Sequence, residues 1–140
     1  MKQVRTKTAK PAPATANPKG VHPPLGAYSH TIRVPAGAEW LLISGQVGVS
    51  PRGRLADGVG KQAEQAFRNI LACLKAHGMT KRDLVKFTIF LTDARFIEDY
   101  RAARKKVIGD ADLPTSTLLI VEGLARPDML IEVEAWAAKA

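Results

Sequence analysis

Polar side chains that could take part in binding or catalysis are grouped in four short stretches of the chain. They are the segments 26–30 (GAYSH), 44–46 (SGQ) and 114–117 (PTST), and the pair Glu132 and Glu134. Hydroxyl and amide groups of the three segments can hydrogen-bond a small polar ligand. The two glutamates are two residues apart on a predicted strand, so their side chains share one face. A carboxylate there can orient water or move a proton, although paired solvent-facing or interface carboxylates are the commoner explanation of this pattern.

Sequence motifs of other kinds of site are missing from the chain. It has no phosphate-binding loop, no dinucleotide-binding glycine pattern, no nucleophile elbow and no metal motif. The histidines, His22, His30 and His77, lack local metal-ligand spacing. The single cysteine, Cys73, flanks the apolar stripe of a predicted helix, which is more typical of a core residue than of a nucleophile. We therefore expect no bound metal and no cofactor.

The 140-residue chain has the size of one domain, and its formal net charge of +8 is unevenly distributed. Six of the 21 basic residues precede Glu39, whereas all 13 acidic residues lie at or after it, so the rest of the chain is nearly neutral. Residues 1–24 hold five prolines and no Phe, Tyr or Trp that could stack on a base. We predict a flexible, basic, Pro-rich tail over 1–24, a single domain over 25–140, and little binding of nucleic acid.

Hydropathy and cysteine content bear on location. No apolar run approaches the roughly 20 residues of a membrane-spanning helix, and a single cysteine fits a reducing compartment. A cytoplasmic protein that does not bind membranes is therefore expected. A basic leader without acidic residues also occurs in organelle transit peptides, so that alternative stays open.

Apolar periodicity predicts the elements that must position the polar groups. One helix is predicted over 61–77, ending before Gly78, and another over 96–107, ending at Gly109. The basic residues 104–106 suit the negative end of the second helix dipole. Strands are predicted over the following segments: 31–34 and 40–44, which form a hairpin, a brief one at Leu55, then 85–91, 116–121 and 130–136.

This order, β-β-(β)-α-β-α-β-β, predicts an α/β (α+β) fold with a mixed sheet and two helices on one face. The other face lacks a cover, because the apolar runs 41–43 and 118–121 indicate strands that are buried on both sides. We infer that copies of the chain cover this face for one another. The sequence therefore predicts a homo-oligomer whose sites lie between subunits.

Four segments, in this order and spacing, resemble the RidA/YjgF family, also called Rid or L-PSP endoribonuclease-like proteins. They are 25–29 (LGAYS), 43–47 (ISGQV), 85–93 (VKFTIFLTD) and 131–135 (IEVEA), which are similar to the family's G-P-Y-S, S-G-Q, V-K-x-T-V-F-L-x-D and I-E-I-E-A elements. The resemblance covers roughly residues 25–137. It implies a chorismate-mutase-like fold, a homotrimer and a cleft between subunits.

The resemblance also implies a chemistry. Rid proteins that act as deaminases hydrolyse reactive enamines and imines, such as 2-aminoacrylate, to 2-keto acids and ammonia without a cofactor. It therefore implies a small organic metabolite as the ligand and Glu132 as the catalytic group that positions water. Tyr28 is one of the residues that the resemblance places in the cleft, but it could equally be an anchor that packs its segment onto the sheet. By resemblance, the cleft is lined by the following residues: Tyr28, Ser44, Gly45, Gln46, Tyr100, Ser116 and Thr117.

Ser116 departs from the family at its most informative position. The segment 114–117 aligns with the family's P-x-R-S/T, whose arginine clamps a substrate carboxylate with paired hydrogen bonds. A serine hydroxyl is a single neutral donor, so we expect weak or absent activity on 2-aminoacrylate. Tyr100 stands where arginine-bearing members have asparagine, and the loop 123–128 is longer than theirs. Arg126 in that loop is better explained as a solvated turn residue than as a substitute for the missing arginine.

Three classes of function are consistent with these residues. The leading one is a trimeric protein of an arginine-less Rid subfamily that hydrolyses imines or related C=N compounds. The alternative is a non-enzymatic metabolite-binding or regulatory module, which the loss of the arginine favours. An endoribonuclease or RNA-binding role is less favoured, because the charge of the predicted domain is nearly balanced.

Overall fold

A four-stranded sheet, in the order β3-β6-β4-β5, positions most of the predicted site residues. The computed structural model describes residues 13–140. Its elements are β1 (Ala14–Ala16), β2 (Thr31–Arg33), β3 (Glu39–Val47), α1 (Val59–Ala76), β4 (Leu84–Leu91), α2 (Ile97–Val107), β5 (Thr115–Ile120) and β6 (Ile131–Lys139). β5 is parallel to β4, whereas β6 is antiparallel to both β3 and β4. The prediction of a mixed sheet with two helices is confirmed.

Both helices pack on one face of this sheet, around Phe67 of α1. The Phe67 ring centroid lies 5.6 Å from that of Phe87 in β4 and 6.3 Å from that of Tyr100 in α2. Phe67 is fully buried, and truncating such a side chain to alanine costs about 3–5 kcal/mol. The sheet face that these helices cover is called the helix face below, and the opposite one the open face.

The carboxyl end of β3 is held against α1. Asn69 of α1 donates hydrogen bonds from Nδ2 to the carbonyl oxygens of Val47 (3.2 Å) and Val49 (2.9 Å). Gly48 permits this approach, because a Cβ built on it would lie 2.6 Å from Cβ of Gln62. The strand end that carries the segment 44–46 is therefore fixed to the helix layer. The brief strand expected at Leu55 is a single antiparallel bridge to Val49.

The predicted hairpin between segments 31–34 and 40–44 does not form. β2 pairs instead with β1, with Ala14 opposite Arg33 and Ala16 opposite Thr31. Ser29, just before β2, donates its backbone N–H to the Pro114 carbonyl oxygen (3.1 Å), which ties β2 to the start of β5. β3 lies at the opposite edge of the four-stranded sheet. This anchoring explains why β2 lacks β3 as a partner.

The predicted tail over 1–24 includes β1, so its described part is not uniformly irregular. Thr31 adds a side-chain bond to β1, donating from Oγ1 to the Ala16 carbonyl oxygen (3.1 Å). Residues 1–12 lie outside the described part of the chain, and the division into a tail and a domain at residue 25 stays a prediction. The sequence did not show β1, because its short Ala-Thr-Ala run carries no apolar pattern.

Candidate functional site

The segment that carries Tyr28 is bound to the start of β5. Ser29 is buried and donates a hydrogen bond from Oγ to the Leu113 carbonyl oxygen (2.8 Å), in addition to its backbone bond to Pro114. The Tyr28 hydroxyl accepts a hydrogen bond from the backbone N–H of Leu25 (3.1 Å), which closes the segment on itself. Two segments that are far apart in the sequence, each predicted to be functional, therefore meet at one edge of the sheet.

A cavity of about 330 Å³ lies where this segment meets α2 and β5. We call it the α2–β5 cavity. Ser116 projects into it from the helix face, since Ser116 lies opposite the buried Phe87 in the β4–β5 register. Three of the predicted site residues, Tyr28, Tyr100 and Ser116, are thus brought together. The full lining is Leu25, Gly26, Ala27, Tyr28, Tyr100, Arg101, Arg104, Ser116 and Leu118.

Tyr100 forms a buried polar wall of this cavity. Burial raises the pKa of its phenol above the ordinary value of 10.0, and the nearby charge of Arg104, a hydrogen bond with Ser116 and the charge of Arg101 oppose that shift only in part. The phenol is therefore neutral at physiological pH and keeps its O–H as a donor. Tyr100 and Ser116 together offer neutral hydrogen-bond donors and acceptors in this cavity.

Arg104 and Arg101 are cavity residues that the sequence analysis did not recognise. The Arg104 guanidinium is buried and donates from Nη1 to the Gly109 carbonyl oxygen (3.0 Å) and from Nη2 to Oδ1 of Asp110 (2.9 Å). Arg101 donates from Nη1 to Oε1 of Glu98 (2.7 Å). The sequence analysis assigned Arg104 only to the helix dipole. Its spacing of four residues from Tyr100, which puts both on one side of α2, was the available signal.

A second group of predicted site residues is centred on Glu132 in β6. The β3–β6 register shifts between Ile43 and Gln46, and Gly45 lies in that irregularity. A Cβ built on Gly45 would lie 2.7 Å from Cδ of Glu132, so any larger residue would displace this carboxyl group from its position. Gln46 donates a hydrogen bond from Nε2 to the backbone carbonyl oxygen of Ser44 (3.1 Å). Ser44 itself is exposed at the same strand end.

The two groups occupy opposite faces of the sheet. Glu132 lies opposite Phe90 in β4 and alternates with the buried Ile131 and Val133, so its side chain is on the open face, whereas Ser116 is on the helix face. Thr117 follows Ser116 and is also on the open face, where its Oγ1 accepts a hydrogen bond from Nζ of Lys86 (2.6 Å). A single chain therefore brings Ser116 together with Tyr28 and Tyr100 but does not bring it together with Glu132.

Two other predicted features are peripheral to these groups. Arg126 donates from Nη2 to Oδ2 of Asp128 (2.8 Å), both side chains are largely exposed, and Arg126 does not line the α2–β5 cavity described above. Glu134 shares the open face with Glu132 and lies opposite Thr88. Neither residue contributes to the cavity.

Within residues 13–140, no three His, Cys, Asp or Glu side chains are grouped so that they could hold a metal ion. None of the helices in that part of the chain combines the length and the apolar character needed to cross a bilayer.

The cavity at the sheet edge, the carboxylate on the open face and the mixed sheet with two helices define a small α+β protein of the Rid type. The family model of Endoribonuclease L-PSP matches residues 20–139. The chain therefore belongs to this family, which is the RidA/YjgF family that the sequence segments resemble.

Individual relatives agree with this assignment. A RutC family protein from Aquifex aeolicus is 28% identical over 117 residues, which are 83% of this chain and 91% of that protein. A 2-iminobutanoate/2-iminopropanoate deaminase from Rattus norvegicus is 33% identical over 119 residues, 82% of each chain. The crystal structure of the Rid family protein YyfB from Yersinia pestis, of unknown function, superposes with a TM-score of 0.80 at 27% identity, covering 89% of this chain and 97% of that one.

Proposed function

We propose that this protein is a Rid-type hydrolase of imines and enamines whose active site is completed between copies of the chain. The observation that carries the proposal is the separation of its two polar groups: Tyr28, Tyr100 and Ser116 in the α2–β5 cavity, and Gly45 with Glu132 on the open face. Because they lie on opposite faces of one sheet, a ligand that contacts both requires a second copy of the chain.

Apolar residues on the open face support such an assembly. Leu42 and Trp136 lie opposite each other in β3 and β6 and are 61% and 40% exposed in the single chain. Trp40 packs edge to face on Trp136, with ring centroids 6.2 Å apart. Leu119 in β5 lies opposite Phe90 on the same face. Covering apolar surface contributes roughly 25 cal/mol per Å², which favours assembly through this face. With the family resemblance, this leads us to propose a homotrimer in which each open face is covered by a neighbouring copy.

The chemistry that we propose needs only water and an acid–base group. Water adds to the carbon of the C=N bond, and ammonia leaves, so that the imine becomes a ketone with no change in oxidation state. Glu132 moves one proton from the attacking water to the imine nitrogen, which gives a carbinolamine. It then moves the proton of the new hydroxyl group to the same nitrogen as the C–N bond breaks and ammonia leaves. The hydroxyl groups of Tyr100 and Ser116 hold the ligand by hydrogen bonds across the cleft.

Ser116 limits the substrates that this site would accept. Relatives from rat, mouse, Salmonella typhimurium and Escherichia coli are named 2-iminobutanoate/2-iminopropanoate deaminases. A site without an arginine at residue 116 lacks the cation that would clamp the carboxylate beside the reacting carbon. We therefore expect slow turnover of 2-iminopropanoate and its enamine, 2-aminoacrylate, and faster turnover of imines that have no carboxylate beside the reacting carbon.

The experiment that tests this function generates 2-iminopropanoate from alanine with an L-amino-acid oxidase and other imines from a panel of primary amines with a flavin amine oxidase, and it follows semicarbazone formation. The protein should reduce the semicarbazone yield for at least one imine and have little effect on that made from alanine. Glu132→Gln should remove this activity, whereas Glu134→Gln, its neighbour on the same face, should retain it. The absence of turnover for every imine, or full activity of Glu132→Gln, would reject the hydrolase.

A non-enzymatic metabolite-binding or regulatory module is the second candidate, and Ser116 in place of the family arginine favours it. This function predicts a stable complex in native mass spectrometry, no turnover, and unchanged binding in Glu132→Gln. Loss of binding in Glu132→Gln together with measurable turnover would support the hydrolase instead.

We expect either activity to operate on a small metabolite in the cytoplasm. An endoribonuclease or RNA-binding role is less favoured, because the basic excess of the chain lies before Glu39 and the remainder is nearly neutral. Any RNA binding due to that excess should weaken steeply as the salt concentration rises.

A further inference from the structure

The α2–β5 cavity presents a pair of hydroxyl groups that come from two different elements. Tyr100 of α2 and Ser116 of β5 both line it, and their side chains share a hydrogen bond. Tyr100 is only 6% exposed, and its ring stacks on the core residue Phe67 with the centroids 6.3 Å apart and an interplanar angle of 28°. The core therefore holds the phenol in one place beside Ser116.

This hydroxyl pair can both donate to a ligand and accept from it. Burial raises the pKa of the Tyr100 phenol above its ordinary value of 10.0, so its O–H is retained at physiological pH. The bond between Tyr100 and Ser116 uses one of their two O–H groups. One O–H donor and lone pairs on both oxygens remain for a ligand.

The cations of α2 that border the cavity have their hydrogen-bond partners elsewhere. Arg104 donates to the carbonyl oxygen of Gly109 and to the carboxylate of Asp110, and Arg101 donates to Glu98. None of these three partners is among the residues that line the cavity. The charge of each guanidinium is therefore balanced outside the cavity, and the hydroxyl pair is the polar group that a ligand meets inside it.

A carboxamide matches this hydroxyl pair better than a carboxylate does. The amide carbonyl oxygen can accept the remaining O–H, and the amide N–H can donate to a hydroxyl lone pair. A carboxylate is an acceptor only, so it leaves the lone pairs of the hydroxyls unmatched. It also brings a charge into a partly buried site, which is costly unless a cation is paired with it.

We propose that Tyr100 and Ser116 form a neutral recognition subsite for an uncharged carboxamide beside the reacting carbon of the ligand, and that Tyr100 determines this preference. The subsite holds the amide against α2 at the wall of the α2–β5 cavity. This inference rests on the proposed function, since it names the class of substrate that the same site would take. It concerns binding, however, and is testable without turnover.

The test compares an amide with an acid of nearly the same shape. Leu25 and Leu118 also line the cavity, so a branched aliphatic chain suits it. Isothermal titration calorimetry of the full-length protein would use 4-methyl-2-oxopentanamide, the product of hydrolysis of the matching imino amide, and 4-methyl-2-oxopentanoate. The amide should bind about tenfold more tightly than the acid, because only the amide satisfies both hydroxyls without burying a charge.

Variants that remove one hydroxyl identify the subsite. Tyr100→Phe keeps the ring on Phe67 and should weaken the amide about three- to tenfold, with little effect on the acid, so that the preference is largely lost. A merely structural role of Tyr100 would weaken both ligands alike. Ser116→Ala should have a similar effect, and it decides the matter if circular dichroism shows that Tyr100→Phe is not folded. Ser50→Ala removes a serine hydroxyl in a turn outside the cavity and should leave both affinities unchanged.

Three results would reject this subsite: no binding of the amide, an acid that binds as tightly as the amide, or an unchanged preference in both Tyr100→Phe and Ser116→Ala. Failure of the proposed hydrolase is a separate outcome, seen as absent imine turnover while the calorimetric preference for the amide persists. Imine turnover by a protein that shows no such preference would retain the hydrolase and reject the subsite.

Discussion

The carboxyl group of Glu132 lies directly over Gly45, so close that a Cβ at residue 45 would be 2.7 Å from Cδ and 2.9 Å from Cγ of the glutamate. The two residues come from β6 and β3, which are neighbouring strands, at the point where their register shifts. Gly45 therefore allows the Glu132 side chain to occupy this position. The glycine of the Ser-Gly-Gln segment thus positions the Glu132 carboxyl group, in addition to suiting a turn at the strand end.

Gly45→Ala is expected to displace the Glu132 side chain. The new methyl group forces the glutamate into another rotamer, which should lower the free energy of unfolding by about 1 kcal/mol. The imine hydrolysis that we propose should fall with it, because the carboxylate leaves its position. Urea denaturation and the semicarbazone assay measure the two effects.

A double-mutant cycle isolates this contact. In a Glu132→Ala background, Gly45→Ala should no longer lower stability, because the colliding group is absent. Gly123→Ala is the control, since a Cβ at residue 123 would meet nothing within 4 Å. If Gly45→Ala lowers the free energy of unfolding equally in both backgrounds, the Glu132 side chain is not the reason for glycine at residue 45.

Ser116→Arg should raise activity on 2-iminopropanoate at least about tenfold, because it supplies the cation that we expect the family's deaminases to have at this position. The side chain enters the α2–β5 cavity of about 330 Å³, which has room for it. Ser116→Gln is the matched control, since it adds a long polar side chain without charge. No gain in Ser116→Arg, or an equal gain in Ser116→Gln, would mean that the cleft differs from the deaminases by more than this residue.

Much of this fold could be predicted from local pattern. The alternation of Val85, Phe87, Ile89 and Leu91 follows the period of a strand, and the helical spacing over 61–77 is closed by Gly78, whose φ is +65°. The family segments predict Tyr28 and Glu132 as site residues, and Tyr28 lines the α2–β5 cavity. Patterns within one element are visible in a sequence, because neighbouring residues determine them.

Relationships between distant elements could not be predicted in the same way. The pairing of β2 with β1 depends on Ser29 bonding to Leu113 and Pro114, which no local pattern encodes. Arg104 lines a cavity only because the folded chain brings α2 and β5 to the same side of the sheet. The separation of Ser116 from Glu132 follows from strand register, where a shift of one residue reverses the face. These features require the three-dimensional arrangement.

Stability at high pH should depend on Tyr100. Burial raises the pKa of its phenol above 10.0 in the folded chain, whereas in the unfolded chain the phenol ionises near its ordinary value. Above that value the unfolded state loses its proton first, so the free energy of unfolding falls as the pH rises towards the folded-state pKa. Below it, the contribution of this group is fully present.

Urea midpoints of the wild type and Tyr100→Phe between about pH 8 and pH 11 measure this dependence. The difference in stability between the two proteins should shift in favour of Tyr100→Phe above about pH 10. Because the remaining groups are the same in both proteins, only the difference between the two curves reports on Tyr100. Parallel curves across this range would contradict a raised pKa at Tyr100.

Leu42→Asp should break the trimer that we propose. Leu42 is the most exposed of the apolar side chains on the open face, and it lies opposite Trp136. A carboxylate buried at an interface without a partner costs several kcal/mol per ion, so light scattering should change from the mass of three chains to that of one, 15.1 kDa. Val21→Asp, a substitution at an exposed apolar residue outside the sheet, should leave the assembly intact. Two results would contradict this assembly: a wild type that is monomeric at micromolar concentration, or a trimer that tolerates Leu42→Asp. Either result would mean that the open face does not form the interface that we propose, and that no second chain covers Glu132 there.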